Sequence, residues 1–105
     1  MSEPLENIAM EMISYAGDAK ADGYNALHAA KKGNFEEAGK LLKLAEEKIT
    51  ISHQIHLKLL GIDNQFKSIN EQLLITHAMD TMMTATAELD LINEIVDILK
   101  REKVR

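Results

Sequence analysis

Apolar positions recur along this chain at steps of three and four residues almost without a break. From Pro4 the stripe runs Leu5, Ile8, Ala9, Met12, Ile13, Ala16, Ala19, then Tyr24, Leu27 and Ala30, which predicts a first helix. Proline suits a first helical turn, and Ser2 or Glu3 stands just before it. Gly17 and Gly23 interrupt the stripe. Each costs about 1 kcal/mol in a helix interior, so both are expected where helices pack closely, with a hinge as the alternative. KKGNFEE, residues 31 to 37, is a stop followed by a start. Its lysines suit a last turn, Gly33 a left-handed cap, and Asn34 caps the next helix with Glu37 three positions on. The second helix presents Phe35, Ala38, Leu41, Leu42, Ala45, Ile49, Ile55 and Leu59 until Gly61, and GIDNQFK makes the next connection. Ser68 with Glu71 reads as a capping box that opens a third helix, from about Ile69 to about Arg101, roughly 50 Å long at 1.5 Å per residue. Long helices joined by short connections predict an all-α, antiparallel three-helix up-down-up bundle.

The third helix carries more apolar surface than such a bundle can bury. One stripe reads Leu73, His77, Asp80, Thr84, Ala87, Leu91, Ile95 and Ile98. A second, displaced around the helix, reads Ile75, Met79, Met82 or Met83, Thr86, Leu89, Ile92, Val96 and Leu99. A helix apolar nearly all round is buried all round, and two partner helices cannot cover that circumference. Another copy of the chain is the simplest cover. The steps are those of a coiled-coil seam, and Ala78, Thr84, Ala85, Thr86 and Ala87 would permit close approach.

At 105 residues the chain reads as one domain, residues 1–105, small enough that oligomerisation would add useful burial. One proline, few aromatics and a preponderance of helix formers agree with the all-α class. No cysteine is present, which excludes disulfides, thiolate zinc sites and cysteine nucleophiles. With 12 basic and 17 acidic residues the net charge is -5, and no Lys/Arg cluster is dense enough to track a phosphate backbone. Nucleic acid is therefore not expected as a partner. MSEPLENIAM lacks the basic flank and apolar run of a signal peptide, and nowhere do about 18 apolar residues occur together. A soluble cytoplasmic protein is expected.

The segment LLITHAMDTMMTATAELD, residues 73 to 90, holds the candidate chemistry. Between Glu71 and Glu88 the only formally charged side chain is Asp80, and the only histidine is His77. On the stripe reading both lie at or beside a subunit interface. Identical carboxylates around a symmetry axis repel, so Asp80 needs a metal, a proton or water. His28, His53 and His56 read as hydrogen-bonded core or surface histidines; ISHQIH has a metal-compatible spacing but no neighbouring third ligand. Met79, Met82 and Met83 read as adaptable core filler, and KREKVR as a solvated helix end whose cations suit the C-terminal dipole. No phosphate loop, Ser/His/Asp set or pair of general acids can be read.

THAMDTMMT resembles the active-site segment of the lactose/cellobiose-specific enzyme IIA proteins of the bacterial phosphoenolpyruvate-dependent sugar phosphotransferase system, where His-Ala-Gln-Asp-His-Leu-Met-Thr is typical. ISYAGDAKADGYNALHAAKKGNFEEA is similar to that family's first helical hairpin, in which Gly-X-Ala-Arg precedes Tyr, Ala and a Lys-X-Gly-Asp/Asn-Phe turn. The likeness covers nearly the whole chain. It implies a homotrimer of three-helix subunits, nine helices in all, which would supply the cover that the third helix lacks. By the same resemblance, His77 would carry a phosphoryl group, and Asp80 would meet its symmetry mates around a metal ion, commonly magnesium, one per trimer on the threefold axis.

The implied activity is that of a phosphotransferase component with a phosphohistidine intermediate. HPr would be the donor and a cysteine of enzyme IIB the acceptor, for uptake of a β-disaccharide of the lactose, cellobiose or chitobiose type. Contact with the membrane would be indirect, through enzyme IIC. Two positions depart from the family's pattern: Met79 stands where Gln is usual and Thr81 where a second His is usual. Loss of two polar groups near the phosphoryl site motivates an alternative, a divergent non-catalytic trimeric interaction protein on the same scaffold.

Overall fold

The computed structural model of the chain describes residues 4–61 and 68–104, the last of them by its backbone only. Three helices account for nearly all of it: α1 (Leu5–Lys31), α2 (Phe35–Leu60) and α3 (Ile69–Val104), with no strand among the described residues. Ser2, Glu3 and most of the GIDNQFK connection lie outside the described residues.

The helix ends follow the local chemistry anticipated for them. Pro4 is extended, with φ -57° and ψ 138°, and its carbonyl accepts the N–H groups of Asn7 and Ile8 at 3.0 and 3.3 Å. At the other end of α1, Gly33 adopts φ +82°, a conformation that costs glycine little and other residues more. Its N–H reaches the Ala30 carbonyl, and the Asn34 N–H reaches that of Ala29, both at 2.9 Å, the paired bonds of a Schellman turn. Asn34 Oδ1 then accepts the Glu37 N–H at 3.2 Å and starts α2. Ser68 and Glu71 form the reciprocal capping box: Ser68 Oγ accepts the Glu71 N–H at 3.1 Å, while Glu71 Oε1 accepts the Ser68 N–H at 3.0 Å. α3 runs past Arg101 to Val104, beyond its expected end. Cations of the last turn suit the helix dipole there, and Arg101 pairs with Asp97 one turn back at 3.0 Å.

α1 is the hub. It packs broadly on both other helices, while α2 and α3 meet along a narrow seam. Ile8, Met12, Ala16 and Ala19 of α1 share one buried cluster with Ala45, Ile49 and Leu59 of α2 and with Ala78, Met82, Ala85 and Leu89 of α3. A second cluster, nearer the α1–α2 turn, joins Ala26, Ala30 and Ala38 to Ile92 and Val96. Alanines on α1 let the neighbouring backbones come close. Polar contacts record which levels meet: Ser52 Oγ donates to the Met12 carbonyl at 3.0 Å, Lys20 meets Glu88 at 3.5 Å, and Lys103 Nζ donates to the Gly33 carbonyl at 3.1 Å while lying 5.2 Å from the Phe35 ring centre. The result is long, 58 × 21 × 17 Å. Its radius of gyration of 16.5 Å exceeds the roughly 13 Å of a compact domain this size.

α3 has the two apolar faces read from its sequence, and the structure separates them. Ala78, Met82, Ala85, Leu89, Ile92 and Val96 are buried against the bundle. On the opposite side Ile69, Leu73, Leu91, Ile95 and Ile98 are exposed, Leu73 by 63 % and Leu91 by 64 %, with Asp80, Thr84 and Ala87 between them. Of the two methionines that competed for the packed stripe, Met82 is buried and Met83 exposed.

Close packing explains only one of the two glycines in α1. A methyl group at Gly23 would run into the Leu89 side chain and lie 3.3 Å from Ile92 Cδ1, whereas one at Gly17 would meet nothing within 4 Å. Gly39 in α2 is equally open. Ala at Gly39 should therefore raise stability by about 0.5–1 kcal/mol through helix propensity alone. Ala at Gly23 gains the same propensity but overpacks a buried contact, which costs about 1–3 kcal/mol, so a net loss is expected. Thermal unfolding of the two variants checks the pair; a Gly23→Ala protein as stable as Gly39→Ala would mean that Leu89 gives way freely.

Candidate functional site

Burial of Ala78, Met82 and Ala85 fixes the rotation of α3, and with it the flank that carries the candidate residues. His77 and Asp80, three residues apart, both stay exposed and line one cavity of about 290 Å³ in the groove between α1 and α3. Ala16, Gly17 and Lys20 form its α1 wall, and Thr81 and Thr84 continue the α3 wall. Small side chains keep the groove open. Its volume suits a phosphate-sized group with a few waters, each water occupying roughly 30 Å³.

The two departures from the family pattern fall in different places. Thr81 lines the cavity, but its hydroxyl donates to the His77 carbonyl one turn back at 2.8 Å, so it presents only acceptor lone pairs to the groove. Met79 is half-buried and packs against the core cluster instead of lining the cavity. Within one chain, Thr81 thus stands at the cavity that His77 lines and Met79 at a packing position.

Lys20 was not among the residues singled out from sequence. Its Nζ lies 3.5 Å from Glu88 Oε1, with about half of its side chain exposed. A sequence signal did exist: Ala16, Gly17 and Lys20 share one helical face, and Lys20 ends the GDAK segment that matches Gly-X-Ala-Arg. Tyr24, one turn on, interacts with the same carboxylate. Its hydrogen bond to Glu88, then partial loss of solvent and the nearby negative charge, hold the phenol above its ordinary pKa of 10.0. Across α1 and α2, Lys48 meets Asp22 at 2.7 Å; that hydrogen bond, opposed by desolvation and aided by the charges of Asp22 and Asp18, raises the lysine.

The other histidines take structural roles or none. His28 is exposed near the end of α1. His53 Nε2 lies 3.1 Å from Thr86 Oγ1. The Thr86 proton goes to the Met82 carbonyl at 2.8 Å, which makes His53 the donor and assigns its proton to Nε2. His56 buries its Nε2 with no hydrogen-bond partner among the described residues. Among the described residues no group of three or more His, Cys, Asp or Glu could hold a metal ion, so within one chain Asp80 is a single oxygen donor.

Fold and site together define a small all-helical protein with an accessible imidazole in the groove between its first and third helices, in a cavity that a lysine and a carboxylate also line. The sequence profile described as "PTS system, Lactose/Cellobiose specific IIA subunit" matches residues 7–100, and the chain belongs to that family. It is 30 % identical over 101 residues to the lichenan-specific phosphotransferase enzyme IIA component of Bacillus subtilis strain 168, covering 96 % of this chain and 92 % of that protein. Against the lactose-specific EIIA component of Streptococcus mutans serotype c the identity is 30 % over 94 residues, covering 90 % of each chain. Against the N,N'-diacetylchitobiose-specific EIIA component of Escherichia coli strain K12 it is 28 % over 102 residues, covering 97 % of this chain and 88 % of that one.

The Tyr24–Glu88 contact makes its own prediction. A phenol whose folded pKa is raised contributes stability that is present below the unfolded value of about 10 and is lost as pH rises through the folded value. In a Tyr15→Phe background, where Tyr24 is the remaining tyrosine, phenolate absorbance should appear later than in the unfolded chain. Glu88→Gln should bring the midpoint down. A midpoint indifferent to Glu88→Gln would remove the carboxylate as the cause.

Proposed function

We propose that this chain is a phosphoryl carrier of the sugar phosphotransferase system, accepting phosphate from HPr on His77 and passing it to a cysteine of enzyme IIB. The observation that carries this reading is the accessible His77 at the α1–α3 cavity of a chain belonging to the IIA family. A neutral imidazole nitrogen is nucleophilic near neutral pH. In the first step its lone pair forms an N–P bond as the bond between phosphorus and the donor breaks. In the second, a thiolate sulfur of the acceptor forms an S–P bond as the N–P bond breaks and the imidazole is released. Catalysis of this kind is chiefly positioning and charge stabilisation around an in-line phosphoryl group. Exposure suits a residue that two partner proteins must reach in turn.

The sugar is read as a β-linked disaccharide of the lactose, cellobiose or chitobiose type, in keeping with relatives whose names specify lactose and N,N'-diacetylchitobiose. The carrier would work in the cytoplasm and touch the membrane only through enzyme IIC; among the described residues no helix is long and apolar enough to cross a membrane. The location of Met79 against the core, away from the cavity, weakens the alternative of a non-catalytic interaction protein.

The same reading gives the subunit as an up-down-up bundle that assembles as a homotrimer of nine helices. Support for the chain path comes from the levels that meet, Met12 with Ser52, Lys20 with Glu88 and Gly33 with Lys103. Support for the assembly comes from the uncovered face of Ile69, Leu73, Leu91, Ile95 and Ile98, which is costly to leave in water. Asp80 stands in that face. A carboxylate oxygen is the hard donor that Mg²⁺ favours, but one donor per chain makes a site only when symmetry mates add theirs. Such an ion, one per trimer, would be held by the three copies of Asp80 and would supply charge neutralisation, not a reaction step.

Two experiments test the reading. Incubation with enzyme I, HPr and phosphoenolpyruvate should add one phosphate mass per chain, and His77→Gln should abolish the gain without loss of helicity. Labelling that persists in His77→Gln would move the acceptor to His28, His53 or His56, and an unlabelled wild type would favour the interaction-protein alternative. For the metal, sedimentation with and without chelator should show a wild-type trimer that responds to magnesium. Asp80→Leu should stay trimeric, because it removes repulsion from an apolar interface, but should no longer respond. A monomeric wild type, or a trimer indifferent to metal, would overturn the axial role of Asp80.

A further inference from the structure

We infer that Lys20 is a phosphoryl-binding residue of the transfer site, exchanging its contact with Glu88 for the phosphoryl group whenever His77 carries one. The inference rests on the phosphoryl-carrier reading and adds to it a second side chain, from a different helix.

The chain's own charges around the cavity favour such a partner. Phosphorylation places roughly two negative charges on the His77 ring at neutral pH. The carboxylate of Asp80 lines the same cavity, and the chain as a whole carries a net charge of -5. Thr81 has turned its only proton to the His77 backbone. Among the described residues lining the cavity, Lys20 is the one lysine or arginine. Without it, a phosphoryl dianion would face a carboxylate and threonine oxygens across a small groove.

Lys20 is also placed to move. It reaches Glu88 at 3.5 Å with its side chain 49 % exposed, a loose pair of the kind that contributes little to stability. The contrast is Lys48, held to Asp22 at 2.7 Å and less exposed. The Tyr24 phenol, held above its ordinary pKa by Glu88, stays near that carboxylate when Lys20 leaves. A phosphoryl dianion offers three acceptor oxygens and twice the charge, so the exchange is favourable when it arrives and reverses when it leaves. Gly17, one turn before Lys20, puts no side chain in the way, since even a methyl group there would meet nothing within 4 Å.

The test uses the full-length protein with enzyme I, HPr and phosphoenolpyruvate, and reads three things: the rate of phosphate gain, the lifetime of the phosphohistidine after the donor is removed, and its ³¹P resonance. Lys20→Gln should slow the gain on the order of 10- to 100-fold and shift the resonance, while circular dichroism stays unchanged. Lys20→Arg should restore rate and resonance, because the need is for a flexible cation. Lys40→Gln, which removes an exposed helix-surface partner of Glu36, should change nothing. A role confined to the Glu88 pair would be exposed by Glu88→Gln, which should slow the gain as much as Lys20→Gln; on the present inference it leaves Lys20 free and the rate undiminished. If wild type gains no phosphate, the carrier reading fails. If wild type and Lys20→Gln gain it at the same rate with the same resonance, or if Lys20→Arg fails to rescue, the carrier reading stands and this inference is overturned.

Discussion

The close approach of α3 to an alanine-rich α1 is the contact on which the rest depends. Ala78, Met82, Ala85, Leu89, Ile92 and Val96 occupy one side of α3, and burying them leaves the helix a single rotational setting. That setting has two consequences at once. It points the second apolar face, from Ile69 to Ile98, directly away from the bundle, and it puts His77 on the flank between the two faces. Gly23 belongs to the same contact, because a larger residue would push against Leu89 and Ile92 and open the groove one turn above the cavity. A site residue can therefore be lost through packing some distance along the helix without any change in its chemistry.

Most of the architecture was legible because the helix ends are written in local chemistry. The Gly33 turn, the Asn34 cap and the Ser68–Glu71 box depend on residues within a few positions of one another, and each forms as the sequence implies. The excess apolar face of α3 was legible for a similar reason, since periodicity needs no knowledge of partners. Which stripe would pack was a different kind of question. Both stripes are apolar, and the choice was made by small residues on the facing helix, which periodicity along α3 alone does not contain. Gly17 was misjudged for the same reason, as an open position and a tightly packed one look identical in a one-dimensional pattern.

The lining of the candidate site was legible in part, and the side chain not read from sequence lies on another helix. His77 and Asp80 announce themselves as polar exceptions in an apolar segment. Lys20 sits in a stretch where exposed charges are ordinary, among Asp18, Lys20 and Asp22, and nothing local distinguishes it from a solvated face. Only the meeting of α1 and α3 puts it on the wall of the cavity that His77 also lines. Met79 erred in the opposite direction. It seemed close to the chemistry because it lies two residues from His77, but two residues along a helix is a turn of about 200°, which carries its side chain to the packed side.

These placements bear on how such a groove tolerates change. A histidine in place of Thr81 would bring ring nitrogens able to donate to a phosphoryl oxygen, whereas the threonine hydroxyl is already committed to the backbone. A chain with threonine here needs its positive charge from elsewhere on the cavity wall, and the α1 wall supplies it through a long, loosely tethered side chain. That arrangement has a cost in order. A flexible ammonium loses rotamer freedom each time it pairs, so it holds the group less rigidly than a ring fixed on α3 would. It has a matching benefit for a carrier, because a group that must be handed on is better held by a contact that can return to a waiting carboxylate. The Lys20–Glu88 pair, too long to be strong and too close to be accidental solvent exposure, is the geometry that such a reversible hold requires.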